Sequence, residues 1–321
     1  MTAPTPWLAR LPIGLFAIPL GLLATSSLWR RAEQALPWAP AAAVAQAVGA
    51  LALLVLVLLL VMLGLKAMRH GPVLRKELAH PVAGALAALM PLSVLMSVAV
   101  FGHGDSPLWL LLALGALALQ GAIALPLAAR VATGELQATG PVTPALYLPP
   151  VAGGLVGALA LQALNLGGWA VLMFGMALAG WALLELRVLN RLFEGPLPLP
   201  LRPTIGIELA PAPVATLTAA TLWPELPAEV LLLGLGIACG PLVAVLARWR
   251  WWTAVPFGAG FWSFSFPAAA FAGCVVEAVR RGHWPAMVSI VALVLATGVI
   301  AFLLLRTLQL LMAGRLLPPA A

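Results

Sequence analysis

Apolar residues run along this chain in ten blocks, separated by short connections that hold most of its charge. The blocks fall at about 11–29, 41–65, 81–101, 108–129, 144–166, 168–186, 203–222, 229–247, 254–279 and 285–305. Each is near the ~20 apolar residues that a helix needs to cross a bilayer. The pattern predicts ten membrane-spanning helices in one domain, residues 1–321. The blocks are not alike, and the difference alternates. The first carries Pro12, Gly14, Pro19 and Gly21; the third, Pro81, Gly84 and Pro91. The fifth carries Pro144, Pro149, Pro150, Gly153, Gly154 and Gly157. The seventh carries Pro203, Gly206, Pro211 and Pro213; the ninth, Pro256, Gly258, Gly260 and Pro267. The even blocks are smoother and rich in Leu and Ala, with Pro126 and Pro241 as exceptions.

Such alternation reads as five repeats of a helical hairpin, each with one broken and one plain helix. Proline removes a backbone donor and clashes with the carbonyl one turn back. Broken backbone is tolerated at membrane depth only where protein buries it or water reaches it. The odd helices are therefore expected inside and the even ones facing lipid. The predicted fold is an all-α polytopic membrane protein. Its odd helices line a central pore at kinks that include Pro19, Pro91, Pro150, Pro211, Pro267, Gly21, Gly153 and Gly206. The bland alternative is a solid bundle whose Pro and Gly only serve packing.

Charge sharpens the picture. Arg30, Arg31, Arg280 and Arg281 fall on one side of the predicted spans, leaving the other 13 of the 17 basic residues on the side of both termini. Cytoplasmic loops carry the excess of Lys and Arg, so both ends are expected in the cytoplasm. The first block has no small-residue cleavage site and is expected to be retained. Only 8% of residues are charged and mean hydropathy is +1.07, which excludes a soluble globular domain. The net charge of +7 would suggest nucleic acid in a soluble protein; here the basic residues anchor helix ends, and no nucleic-acid partner is expected.

Candidate chemistry is sparse. The clear acids inside the blocks are Glu185, Glu208 and Glu277. Glu185 precedes Arg187 and Glu277 precedes Arg280 near block ends, so both read as interfacial ion pairs. Glu208 lies deeper and stays open between a structural bond and a proton site of the conduit. Cys239 and Cys274 form no paired motif, and His70, His80, His103 and His283 show no ligand spacing. P-loop, nucleophile-elbow and dinucleotide motifs are missing. No enzyme, metal or cofactor is expected. A conduit poor in acids and flanked by arginine favours anions.

Four stretches make the chain recognisable: Leu201 to Pro213 (LRPTIGIELAPAP), Phe261 to Pro267 (FWSFSFP), His80-Pro81-Val82 with Met90-Pro91-Leu92, and Tyr147 to Ala152 (YLPPVA). In these, and in helix number and motif order, the chain resembles the tellurite-resistance/dicarboxylate transporter family. Its members include bacterial TehA, fungal malate permeases and sulfite pumps, and the slow-type anion channel of plant guard cells. The resemblance implies a homotrimer in the bacterial inner membrane, with a separate pore in each protomer. It also implies that a phenylalanine of the ninth helix plugs that pore, which by position is Phe266. Phe264 is the nearby alternative, and Trp262, one turn before Phe266, is expected to brace it. The function implied is a gated channel for small inorganic or dicarboxylate anions. The alternative is a proton-coupled carrier of C4-dicarboxylates or of tellurite or sulfite.

Overall fold

The computed structural model describes residues 6–36, 39–133 and 142–317; most of the connection expected at 130–143 lies outside the described residues. Ten helices long and apolar enough to cross a membrane are present among them. They are α1 (Ile13–Ala35), α2 (Pro40–Arg69), α3 (Pro81–Phe101), α4 (Pro107–Arg130) and α5 (Pro144–Ala163). There follow α6 (Gly167–Glu194), α7 (Leu199–Leu222), α8 (Ala228–Ala247), α9 (Ala259–Gly282) and α10 (Ala286–Met312). Three run well past their apolar blocks: α1 through Arg30 and Arg31, α6 through Arg187 and Arg191, and α10 through Arg306. Backbone hydrogen bonding continues into the headgroup region, so a charge marks the membrane edge rather than the helix end.

The two kinds of helix differ in burial. In the odd helices 61 to 89% of the most apolar window is buried, in the even ones 17 to 28%. Packing gives the same division. α1 packs on α3, α3 on α5, α5 on α7, α7 on α9 and α9 back on α1, which closes a ring of five. Every even helix leans on its own hairpin partner and on one further inner helix: α2 on α1 and α3, α4 on α3 and α5, α6 on α5 and α7, α8 on α7 and α9, α10 on α9 and α1. Leu54, Val57, Leu58 and Val61 of α2 stay exposed, as a surface bathed in lipid requires. Pro126 and Pro241 lie inside α4 and α8, and both helices run through them.

The breaks of the inner helices lie in one half of each. Regular α-helix begins only at Ala17, Leu89, Gly153, Pro211 and Ser265. Before it come tight 3₁₀ turns at Ile13–Phe16, Pro144–Tyr147, Leu199–Leu209 and Ala259–Phe264, a π turn at Leu148–Ala152, and a short helical piece at Pro81–Leu86. Pro19, Pro91 and Pro267 are each the third residue of the regular part, and Pro211 is the first. A helix's first turn has no internal acceptor for its N–H groups, so proline costs nothing there. These prolines therefore stand where the tight or short turns of each span give way to regular α-helix.

The glycines differ from expectation too. A side chain at Gly21 would strike Ser265 and Trp262, and one at Gly206 would strike Ser263 and Phe264. These are backbone contacts of α9 with α1 and α7, made close by the missing Cβ. Gly153 meets Gln120 of α4 in the same way. None of the three lines a cavity on the ring axis, and of the five named prolines only Pro267 does.

Candidate functional site

On the side where the inner helices begin, the ring opens into a vestibule of about 210 Å³. All five inner helices line it, through Ala17, Leu89, Leu148, Ala210 and Phe266 among others. Its wall is neutral except for Glu77, supplied by the short helix Gly71–Ala79 between α2 and α3. Glu77 is held by Lys66, at the end of α2, and its second oxygen accepts the Ile13 N–H at 2.9 Å. Lys66 is 2% exposed and also donates to the Leu11 carbonyl at 2.6 Å. The pair pins the start of α1 at the vestibule rim, and Lys66 was read from sequence only as part of a charged connection.

Further along the axis a second, smaller space of about 30 Å³ lies between the regular halves of the same five helices. Ser27 and Arg31 supply its polar lining. Phe266 is the residue common to both spaces. It is buried, and it is the second residue of regular helix in α9. Hydrogen bonds fix the turn before it. Trp262, fully buried, donates its indole N–H to Thr307 Oγ1 of α10 at 2.9 Å. Ser263 donates to the Pro203 carbonyl of α7 and Ser265 to the Trp262 carbonyl, both at 2.6 Å. Trp262 and Phe266 face the vestibule together. Phe264 does not: its ring lies 4.6 Å from that of Trp252 and faces an apolar groove between α8 and α10, outside the ring.

The acids fall into two unlike clusters. Glu277 of α9 takes Arg31 of α1 at 2.9 Å, Arg280 at 2.7 Å and Arg281 at 3.3 Å. Arg31 also donates to Thr221 of α7, and Arg281 donates to the Ala220 and Leu226 carbonyls at that helix's end. Three inner helices are thereby clamped on the side away from the termini. The expected Glu277–Arg280 contact is one strand of this larger network, and Arg31 was missed because its partner lies 246 positions away.

Glu185 makes no pair with Arg187. Residues two apart on a helix face different ways, and Glu185 turns inward to accept the Trp181 indole and the Tyr147 hydroxyl, both at 2.8 Å. The same hydroxyl lies 3.4 Å from Glu208 Oε1, while Glu208 Oε2 has no hydrogen-bond partner among the described residues. Tyr147 is the only tyrosine of the chain, a singularity of composition that could have drawn attention to it. His80 caps α3 by accepting from Val82 and Ala83 N–H groups. Among the described residues no three His, Cys, Asp or Glu side chains converge on a metal-sized site.

A family profile described as voltage-dependent anion channel matches residues 10–309. The chain belongs to the voltage-dependent anion channel family. It is 28% identical over 310 residues to the tellurite resistance protein TehA homolog of Haemophilus influenzae, covering 95% of this chain and 92% of that protein. Members of the family are channels and transporters of anions, and this one is a multi-pass membrane protein. Anions and a lipid bilayer are thus its partners.

Proposed function

We propose that this member of the voltage-dependent anion channel family conducts small anions along the axis of its five inner helices, and that Phe266 closes the path at rest. The observation that carries the reading is the position of Phe266: one buried ring lines both the vestibule, to which all five inner helices contribute, and the smaller pocket further along the axis. Helix polarity supports anions. Alternate spans run parallel, so the positive ends of five helix dipoles all lie toward the vestibule. The vestibule's one acid, Glu77, is neutralised by Lys66. Trp262 acts as the brace of Phe266, held through Thr307.

The charge asymmetry of the connections supports an orientation with the vestibule and both termini on the cytoplasmic side. The resemblance drawn from sequence adds a homotrimer in a bacterial inner membrane, one path per protomer. A proton-coupled carrier of C4-dicarboxylates, tellurite or sulfite is the second reading, favoured by the buried Glu208. Purified protein in a planar bilayer separates the two. The channel reading expects unitary current steps that reverse with the anion gradient and are indifferent to a proton gradient. Uptake without current steps, abolished when the proton gradient collapses, would replace it by the carrier.

A further inference from the structure

A buried carboxylate, Glu208, and a half-buried one, Glu185, are served by a single phenol in one membrane half. Tyr147 of α5 has one hydroxyl hydrogen, and Glu185 of α6 and Glu208 of α7 both lie within its reach, at 2.8 and 3.4 Å. Glu185 has the fuller set of donors, since it also accepts the Trp181 N–H at 2.8 Å. Among the described residues Glu208 has no donor but the more distant phenol, and its other oxygen is buried without a partner. Among the described residues neither acid forms an ion pair. Of the charged residues on the elements packed around them, Arg191 donates to the Gly195 carbonyl. Arg202 lies over Trp251, and Arg250 over Trp249. Glu229 starts α8 and Glu277, Arg280 and Arg281 end α9, at the opposite face. Among the described residues neither Glu185 nor Glu208 forms an ion pair with any of these, with Arg187 or with Glu194's neighbours.

We infer that Tyr147, Glu185 and Glu208 form a proton-binding site, with one proton shared by the two carboxylates. The arrangement that satisfies every close contact is a chain: the Glu208 carboxylic O–H donates to the Tyr147 oxygen, and the Tyr147 O–H donates to the Glu185 carboxylate. Two like charges bridged by one hydroxyl in a low-dielectric interior cannot both persist without a partner. Loss of the proton leaves Glu208 charged and without a donor. That charge appears on the 3₁₀ segment that lines the vestibule through Thr204 and Ile207. An added negative charge there repels anions, so passage falls as pH rises through the site's titration. This consequence rests on the anion-passage reading; the proton site itself does not.

Two readouts keep them apart. Infrared difference spectra of the full-length protein, titrated with alkali, should show loss of a protonated-carboxyl carbonyl band. The band should be absent in Glu208→Gln and shifted in Tyr147→Phe, with Glu185→Gln as the second carboxylate variant. Anion current should fall with rising pH in the wild type and stay at its low-pH level in Glu208→Gln, whose amide is a permanently neutral donor. A wild type without a titrating band, or a band that survives unchanged in both glutamine variants, overturns the site. A normal band with no anion current in any variant upholds the site and removes the passage reading instead.

Discussion

The two halves of the ring are built differently. On the vestibule side the inner helices are 3₁₀ and π turns and short pieces, and they enclose about 210 Å³. On the other side they are regular α-helix, tied together by Arg31, Arg280 and Arg281 around Glu277, and they leave about 30 Å³. Phe266 stands one residue past the junction in α9. A 3₁₀ turn has poorer hydrogen-bond geometry than α-helix and yields more easily, whereas a clamped α-helical half holds its spacing. The difference assigns opening movement to the vestibule half and rigidity to the arginine half. The proposed stopper sits where the two meet, so on the gate proposal a small repacking of the turn at Trp262 to Ser265 would displace it without unlocking the clamp.

Five substitutions test this division. Phe266→Ala should raise anion conductance by about tenfold or more, the change expected if the ring contributes at least ~1.4 kcal/mol to the barrier. Phe264→Ala, outside the ring, should leave the unitary conductance where it was. Glu277→Ala leaves three guanidinium groups facing one another at a site where the carboxylate is 4% exposed. Removing one partner of such a buried network costs about 3–5 kcal/mol, to be read as lost thermal stability in detergent. Gly21→Leu forces α1 away from Ser265 and Trp262. Overpacking of this kind costs about 1–3 kcal/mol, and here it should also change the conductance, because it pushes on the turn that holds Phe266. Leu54→Ala on the lipid face of α2 should fall within about 0.5 kcal/mol of wild type in the same melting assay.

Much of the fold was legible before any coordinates, because a bilayer imposes a simple grammar. Ten apolar blocks became ten helices, and the Pro/Gly alternation separated the five buried helices from the five exposed ones. The role given to those residues was less accurate. Pro19, Pro91 and Pro267 were read as kinks; each stands where regular helix begins, and spacing alone cannot tell a kink from a start. Gly21 and Gly206 were read as pore-lining kinks; each lies where a side chain would strike α9, a contact that only a three-dimensional neighbour reveals. A motif pointed to Phe266 and Trp262, which line the axial spaces, whereas contacts between partners distant in sequence left no local signal. Arg31 with Glu277, and Tyr147 with Glu208, join helices whose adjacency follows from ring closure and from no local pattern.

The central claim is that Phe266 divides one axial path into two compartments. It is tested most directly by thiol accessibility from each side of the membrane. Single cysteines replace Leu86 in the vestibule and Ser27 in the far pocket, in a background lacking Cys239 and Cys274. A membrane-impermeant thiol reagent should modify each from its own side only in the wild type, and each from both sides once Phe266→Ala is added. Sidedness that persists in the Phe266→Ala background, or access from both sides while the phenylalanine is present, would contradict the account.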